Sequence, residues 1–100
     1  MIFEYLQRYR ARLDTDGLLE LARLARRRGQ WVLAVELWER LAAGGLPVAI
    51  EHLAKYYEHQ QRDYARALQA TSRLLACAPR DRQHRRREAR LQARLAARRC

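Results

Sequence analysis

Chain-breaking residues are scarce in this sequence: four glycines and two prolines are spread over one hundred residues, so helix formers dominate and the composition reads as all-α. Only two cysteines occur, Cys77 and Cys100, and neither has a partner at metal-ligand spacing. A disulfide scaffold is excluded on that count, and the pair fits a reducing compartment. Cys77, between two alanines near the end of a helical pattern, reads as a small core residue, and Cys100 as a terminal thiol. No apolar run approaches the roughly 20 residues that a membrane span requires, and Met1-Ile2-Phe3-Glu4 lacks the basic start of a secretory signal. A soluble, cytoplasmic protein is expected. Glycine-rich phosphate loops, Cys-x-x-Cys pairs and nucleophile motifs are all missing. With no residues to carry catalysis, the chain is expected to be a binding module without a cofactor or metal.

Lysine is nearly absent as well, with Lys55 the single example against twenty arginines. The net charge of +10 is unevenly placed. Residues 80 to 100 carry nine arginines against Asp81 and Glu88, or +7, which leaves +3 for residues 1 to 79. A basic segment of this kind attracts nucleic acid, anionic lipid or acidic protein surfaces. The plain alternative is a solvated helix whose arginine content follows the coding bias of its genome.

What is abundant is helical periodicity, and it repeats. The segment from Trp31 to Leu41 returns thirty-three residues later as Tyr64 to Leu74, with Ala34 matching Ala67, and Leu21-Ala22 returns as Leu53-Ala54 at a spacing of thirty-two. Such a period denotes stacked helical hairpins that bury their apolar faces on one another. Asp16 is the expected N-cap of the first helix, which runs to Gly29 through the basic turn Arg26-Arg27-Arg28. Its partner spans about Trp31 to Ala43, with Val35, Leu37, Trp38 and Leu41 as core candidates, before Gly44-Gly45. Pro47 opens the next helix at a position proline tolerates, and Pro79 closes the hairpin that follows. An N-terminal helix from Ile2 to Leu13 precedes the repeats, with Ile2, Phe3, Leu6 and Leu13 available for burial. An uninterrupted helix from Asp81 to Arg99 follows them, with Leu91 and Leu95 on one side and Arg82, Arg86, Arg90 and Arg94 around the other. The expected architecture is a right-handed α-α superhelix in one domain, with repeat 1 at about 16–46, repeat 2 at about 47–79 and a basic capping helix at 80–100.

The spacing of Leu21-Ala22, Ala25, Gly29, Trp31, Ala34, Trp38 and Leu41, and then of Leu53-Ala54, Tyr57, Tyr64, Ala67, Leu74 and Pro79, resembles the tetratricopeptide repeat. In that family small residues sit where paired helices cross, matched here by Ala22, Ala34, Ala54 and Ala67. Leu41 stands where alanine is usual, the first proline is displaced to Pro47, and the second unit has one extra turn residue. A narrower resemblance rests on Glu51-His52-Leu53-Ala54-Lys55-Tyr56-Tyr57-Glu58-His59 followed by Arg62 to Leu68. It is similar to the helical-repeat region behind the RNase-H-like, DEDD-type exonuclease domain of a family of bacterial proteins. That resemblance implies association with a nuclease, whose metal-binding carboxylates this chain lacks.

The polar cluster Glu51, His52, Lys55, Glu58 and His59 was weighed as a metal site. Its like residues are seven apart, about 10 Å along a helix, which is too far for one ion to bridge. It reads as polar surface with Glu51 pairing Lys55. Tyr57, Tyr64, Trp31 and Trp38 read as core, Tyr56 as core or base-stacking platform, and Phe3, Tyr5 and Tyr9 as cover for an open edge or a partner contact. The tetratricopeptide resemblance places the first helix of each unit along a concave groove. It implies partner-binding roles for Arg23, Arg26, Arg27, Lys55, His59 and Arg90. Guanidinium groups there suit an acidic peptide or partner protein. Arg82, Arg85, Arg86 and Arg94 are candidate phosphate contacts for the second reading, an auxiliary nucleic-acid-binding module of an exonuclease. A homodimer through an exposed hairpin end stays open.

Overall fold

The computed structural model describes residues 2–99, and among them the chain is all-helical, with no strand. Six helices follow in order: α1 (Ile2–Arg8), α2 (Thr15–Arg27), α3 (Trp31–Ala43), α4 (Pro47–His59), α5 (Tyr64–Cys77) and α6 (Arg82–Arg99), with a 3-10 turn at Arg10–Arg12. They form two compact units that divide between Ala49 and Ile50, three residues into α4.

In the first unit α2 packs against α3, and α1 lies on α2. Ile2 to Leu13 is not one helix, because α1 stops at Arg8 and the chain tightens through the 3-10 turn. Phe3 is buried, Leu6 and Leu13 are half-buried, and Ile2, Tyr5 and Tyr9 face solvent. The N-cap of α2 is Asp14, not Asp16: its carboxylate accepts the Gly17 amide at 2.9 Å. Gly17 favours the choice, since a Cβ there would stand 3.0 Å from Leu13 Cβ and 3.3 Å from Asp14 Oδ1, so glycine lets both pack closely without a shift. At the other end, Gln30 N–H bonds to Ala25 O and Gly29 N–H to Arg26 O, with Gly29 at φ +75°. This six-to-one closure satisfies carbonyls the helix would leave open. Gly45, at φ +88°, ends α3 in the same way, through Leu46 N–H to Leu41 O. Ala22, Ala25 and Ala34 are fully buried and Leu21, Leu37 and Trp38 nearly so, while Val35 and Trp31 are half-buried. Side chains no larger than a methyl at these positions let helix backbones approach closely.

In the second unit α5 packs against α6. Tyr64, Ala67 and Leu91 form its core, with Tyr57, Leu68 and Leu95 packed against them. Ala54 and Ala67 are fully buried, and the buried Thr71 hydroxyl donates to Ala67 O at 2.8 Å, so it carries no unmet polar group. Asp63 caps α5 by accepting the Arg66 amide at 3.1 Å, and Asp81 caps α6 by accepting the His84 amide at 3.0 Å. Cys77 is exposed and is not a core residue. It is the last residue of α5 and sits at the margin of the buried stripe through Ala67, Ala70, Thr71 and Leu74. Cys100 lies outside the described residues.

Candidate anion-binding site

The site grows from one misplaced charge. Ile50, Leu53, Ala54, Tyr57 and Glu58 follow the i, i+3, i+4, i+7, i+8 rhythm that faces a helix toward the core, so Glu58 lies in the apolar stripe of α4. It is 4% exposed and therefore not the surface residue expected from its polarity. A buried carboxylate must be paired and hydrogen-bonded, and α6 supplies both. Arg90 Nε donates to one Glu58 oxygen at 2.6 Å and Nη2 to the other at 2.8 Å, a bidentate pair across 32 residues of sequence. Arg87 Nε stands 3.8 Å from Glu58 and His59 Nε2 3.5 Å away. The Arg90 hydrogen bonds outweigh the effect of burial and hold the Glu58 carboxyl below its ordinary pKa.

Arg87 is the second surprise. It shares the α6 stripe of His84, Leu91 and Leu95 and is only 8% exposed, with Nε and Nη1 lacking hydrogen-bond partners. Two guanidinium groups thus face one carboxylate, and Arg87 also feels the carboxylate of Asp81, the cap of α6. One turn further along α6, Arg94 Nη1 donates to the Tyr64 hydroxyl at 3.0 Å. The guanidinium carbons of Arg94 and Arg98 lie 5.2 and 4.4 Å from the Tyr64 ring centre, within cation-π range.

Glu58, His59, Arg62, Tyr64 and Arg94 line a cavity of about 300 Å³ in this unit. Arg62, in the turn between α4 and α5, has φ +51°, the one left-handed non-glycine residue among those described. The turn carries one residue more than its counterpart around Gly29, and it closes through Asp63 N–H to Tyr57 O at 2.8 Å.

Of the residues singled out in the sequence, His59, Arg90 and Arg94 come together here. Arg90 is engaged by Glu58, whereas His59 and Arg94 remain on the cavity wall. Arg82, Arg85 and Arg86 are exposed on α6, and their guanidinium groups have no carboxylate partner among the described residues. Lys55 pairs with Glu51 at 3.4 Å, the i,i+4 bridge expected from the sequence. Arg23, Arg26 and Arg27 belong to the first unit, where all three are exposed and Arg23 is chelated by both oxygens of Glu20. Sequence reasoning read Glu58 as polar surface and did not single out Arg62, Arg87 or Arg98. The signal for two of them was present, since Glu58 and Arg87 each occupy an apolar stripe.

Among the described residues no three of His, Cys, Asp or Glu gather closely enough to hold a metal ion, and no helix is long and apolar enough to cross a membrane. Comparison with protein-family models, curated proteins and solved structures found no match for the chain.

Proposed function

We propose that the chain is a non-catalytic, tetratricopeptide-like interaction module that recognises an acidic segment of a partner protein through the basic surface of α6. The repeat reading is supported by helix starts 32 residues apart for Thr15 and Pro47 and 33 apart for Trp31 and Tyr64. It is also supported by the complete burial of Ala22, Ala34, Ala54 and Ala67. The observation that carries the functional reading is charge without compensation. Arg23 and Lys55 spend their charge on neighbours one turn away, but no carboxylate among the described residues pairs with Arg82, Arg85 or Arg86. Exposed guanidinium groups held on a rigid helix pair readily with carboxylates.

The same three free arginines favour one other reading, contact with the phosphates of a nucleic acid. Phosphate neutralisation releases counterions, so that binding would weaken with a log-log salt slope of about 0.7 to 0.9 per contact. The deciding experiment titrates the full chain with a labelled Glu/Asp-rich peptide and with single- and double-stranded DNA and RNA over a salt series. Reversal of Arg82, Arg85 and Arg86 to glutamate is expected to weaken peptide binding at least tenfold. Peptide affinity untouched by the triple reversal, or no peptide binding even at low salt, would reject the proposal. Stronger, steeply salt-dependent binding of nucleic acid would replace it with the second reading.

A further inference from the structure

We infer that the cavity at the α4–α5 turn is a receptor for one phosphorylated side chain, a phosphoserine or phosphothreonine of the acidic partner. The inference rests on the proposed function for its partner class and on a separate set of residues for its site.

The cavity is a collection of donors. Both oxygens of Glu58, the lone carboxylate in its wall, already accept from Arg90, so the wall asks for no further donor there. Arg87, buried beside Glu58 and behind the cavity lining, keeps two N–H positions unpartnered. The Tyr64 oxygen accepts from Arg94, and this leaves the phenolic proton to point elsewhere. A hydroxyl that accepts from a guanidinium is polarised into a stronger donor. Arg94 retains further N–H groups, and Arg62 and His59 also line the cavity with side chains open to solvent.

Arg62 supplies the independent observation. Its left-handed backbone is the conformation that Gly29 adopts thirty-three residues earlier, in the corresponding turn of the first unit. Glycine fits such a position without steric conflict and arginine does not. A strained residue that persists beside a cavity points to use of its side chain. What arginine offers there is a planar fork of N–H groups matched to a tetrahedral oxyanion.

Size and placement define the ligand. A volume of about 300 Å³ admits a phosphate ester and the side chain that bears it. The phosphate dianion, with charge of roughly −1.5 to −2, exploits the uncompensated cations better than a single carboxylate does. Arg85 is nine residues from Arg94, or two and a half turns, which places it on the opposite side of the helix. Binding to a nucleic-acid strand requires a succession of cations along one track, whereas this site has a single focus.

The test uses the full chain and three versions of one labelled acidic peptide, whose central residue is serine, glutamate or phosphoserine. A 5′-phosphorylated oligonucleotide serves as a fourth ligand, and inorganic phosphate is followed separately by phosphorus NMR line broadening. Phosphorylation is expected to tighten peptide binding at least tenfold over the serine form and more than glutamate does. Tyr64→Phe keeps the packed ring, and Arg62→Gly relieves the backbone. Each is expected to cut the ratio of phosphoserine to serine peptide affinity at least threefold. Equal affinity for the serine and phosphoserine peptides would overturn the inference, as would an advantage that survives both substitutions or a preference for the oligonucleotide. If the serine peptide fails to bind while phosphoserine peptide and inorganic phosphate bind in a Tyr64-dependent manner, the α6 reading fails and the receptor stands. The converse result, acidic binding indifferent to phosphate, removes the receptor alone.

Discussion

Glu58→Gln tests the electrostatic arrangement at its centre. The substitution preserves shape but removes the charge that two guanidinium groups surround. Glutamine can accept from Arg90 on one side only, and its amide opposes the second Arg90 N–H. Arg87, buried, loses the charge of Glu58 and keeps only that of Asp81. Breaking a buried pair on one side costs about 3–5 kcal/mol. Arg90 is half-exposed, so water takes over part of the charge, and the expected loss falls to about 2–3 kcal/mol. For a domain of this size each kcal/mol moves the melting midpoint by about 4–8 °C, so the variant should melt roughly 10–20 °C below its parent at pH 7. The pH dependence supplies a second reading. Because the folded-state pKa of Glu58 is lowered, its stabilisation is fully present above the unfolded carboxylate value and is lost as pH falls through the folded one. Glu4, Glu20 and Asp81 are lowered too, so both proteins weaken in acid. Only the difference between them reports on Glu58, and it should shrink as pH falls below the usual carboxylate range. Paired thermal melts by circular dichroism at pH 7 and in acid measure this. A variant melting within 2 °C of its parent at pH 7, or a difference that persists undiminished in acid, would refute the reasoning.

Arg62→Gly removes a left-handed arginine that costs about 1–2 kcal/mol, against the roughly 0.5–1 kcal/mol that glycine loses through unfolded-state freedom. A net gain of about 0.5–1 kcal/mol and a midpoint raised by several degrees are expected in thermal melts, and a lowered midpoint would count against the strain argument. Leu91→Ala truncates a fully buried side chain in the core shared with Tyr64 and Ala67. It should cost about 2–5 kcal/mol in chemical denaturation, and an unaltered midpoint would show that α6 adds little to that core.

Much of the helical framework was legible in the sequence because its determinants are local. Gly29, Gly44-Gly45, Pro47 and Pro79 bracket the helices, and Ala22, Ala34, Ala54 and Ala67 mark buried positions by their small size alone. The departures arise where a distant partner or a steric detail decides. The cap expected at Asp16 falls at Asp14, where the carboxylate reaches the Gly17 amide and Leu13 packs close to Gly17. Cys77 has a core-like composition around it, yet it stands at the end of its helix and the edge of its stripe. Glu58 shows the limit most plainly. Chemical type assigns it to the surface and periodicity assigns it to the interior. The conflict is resolved by Arg90, thirty-two residues away on a helix whose arginines look alike in sequence. Periodicity separates Arg87, in the stripe of His84, Leu91 and Leu95, from the exposed Arg85 and Arg86, but nothing local marks Arg90 as the partner of Glu58.

That separation of thirty-two residues also imposes an order of events during synthesis. A chain made from its N-terminus completes α4 and α5 well before Arg90 exists. Through that interval Glu58 is a hydrated carboxylate set in the apolar stripe that must later close. A charge there makes the unfinished face a poor surface for another nascent chain to adhere to, as gatekeeper charges do beside exposed hydrophobic segments. When α6 arrives, Arg90 cancels that charge, and the group that had kept the face open becomes one of its fastenings.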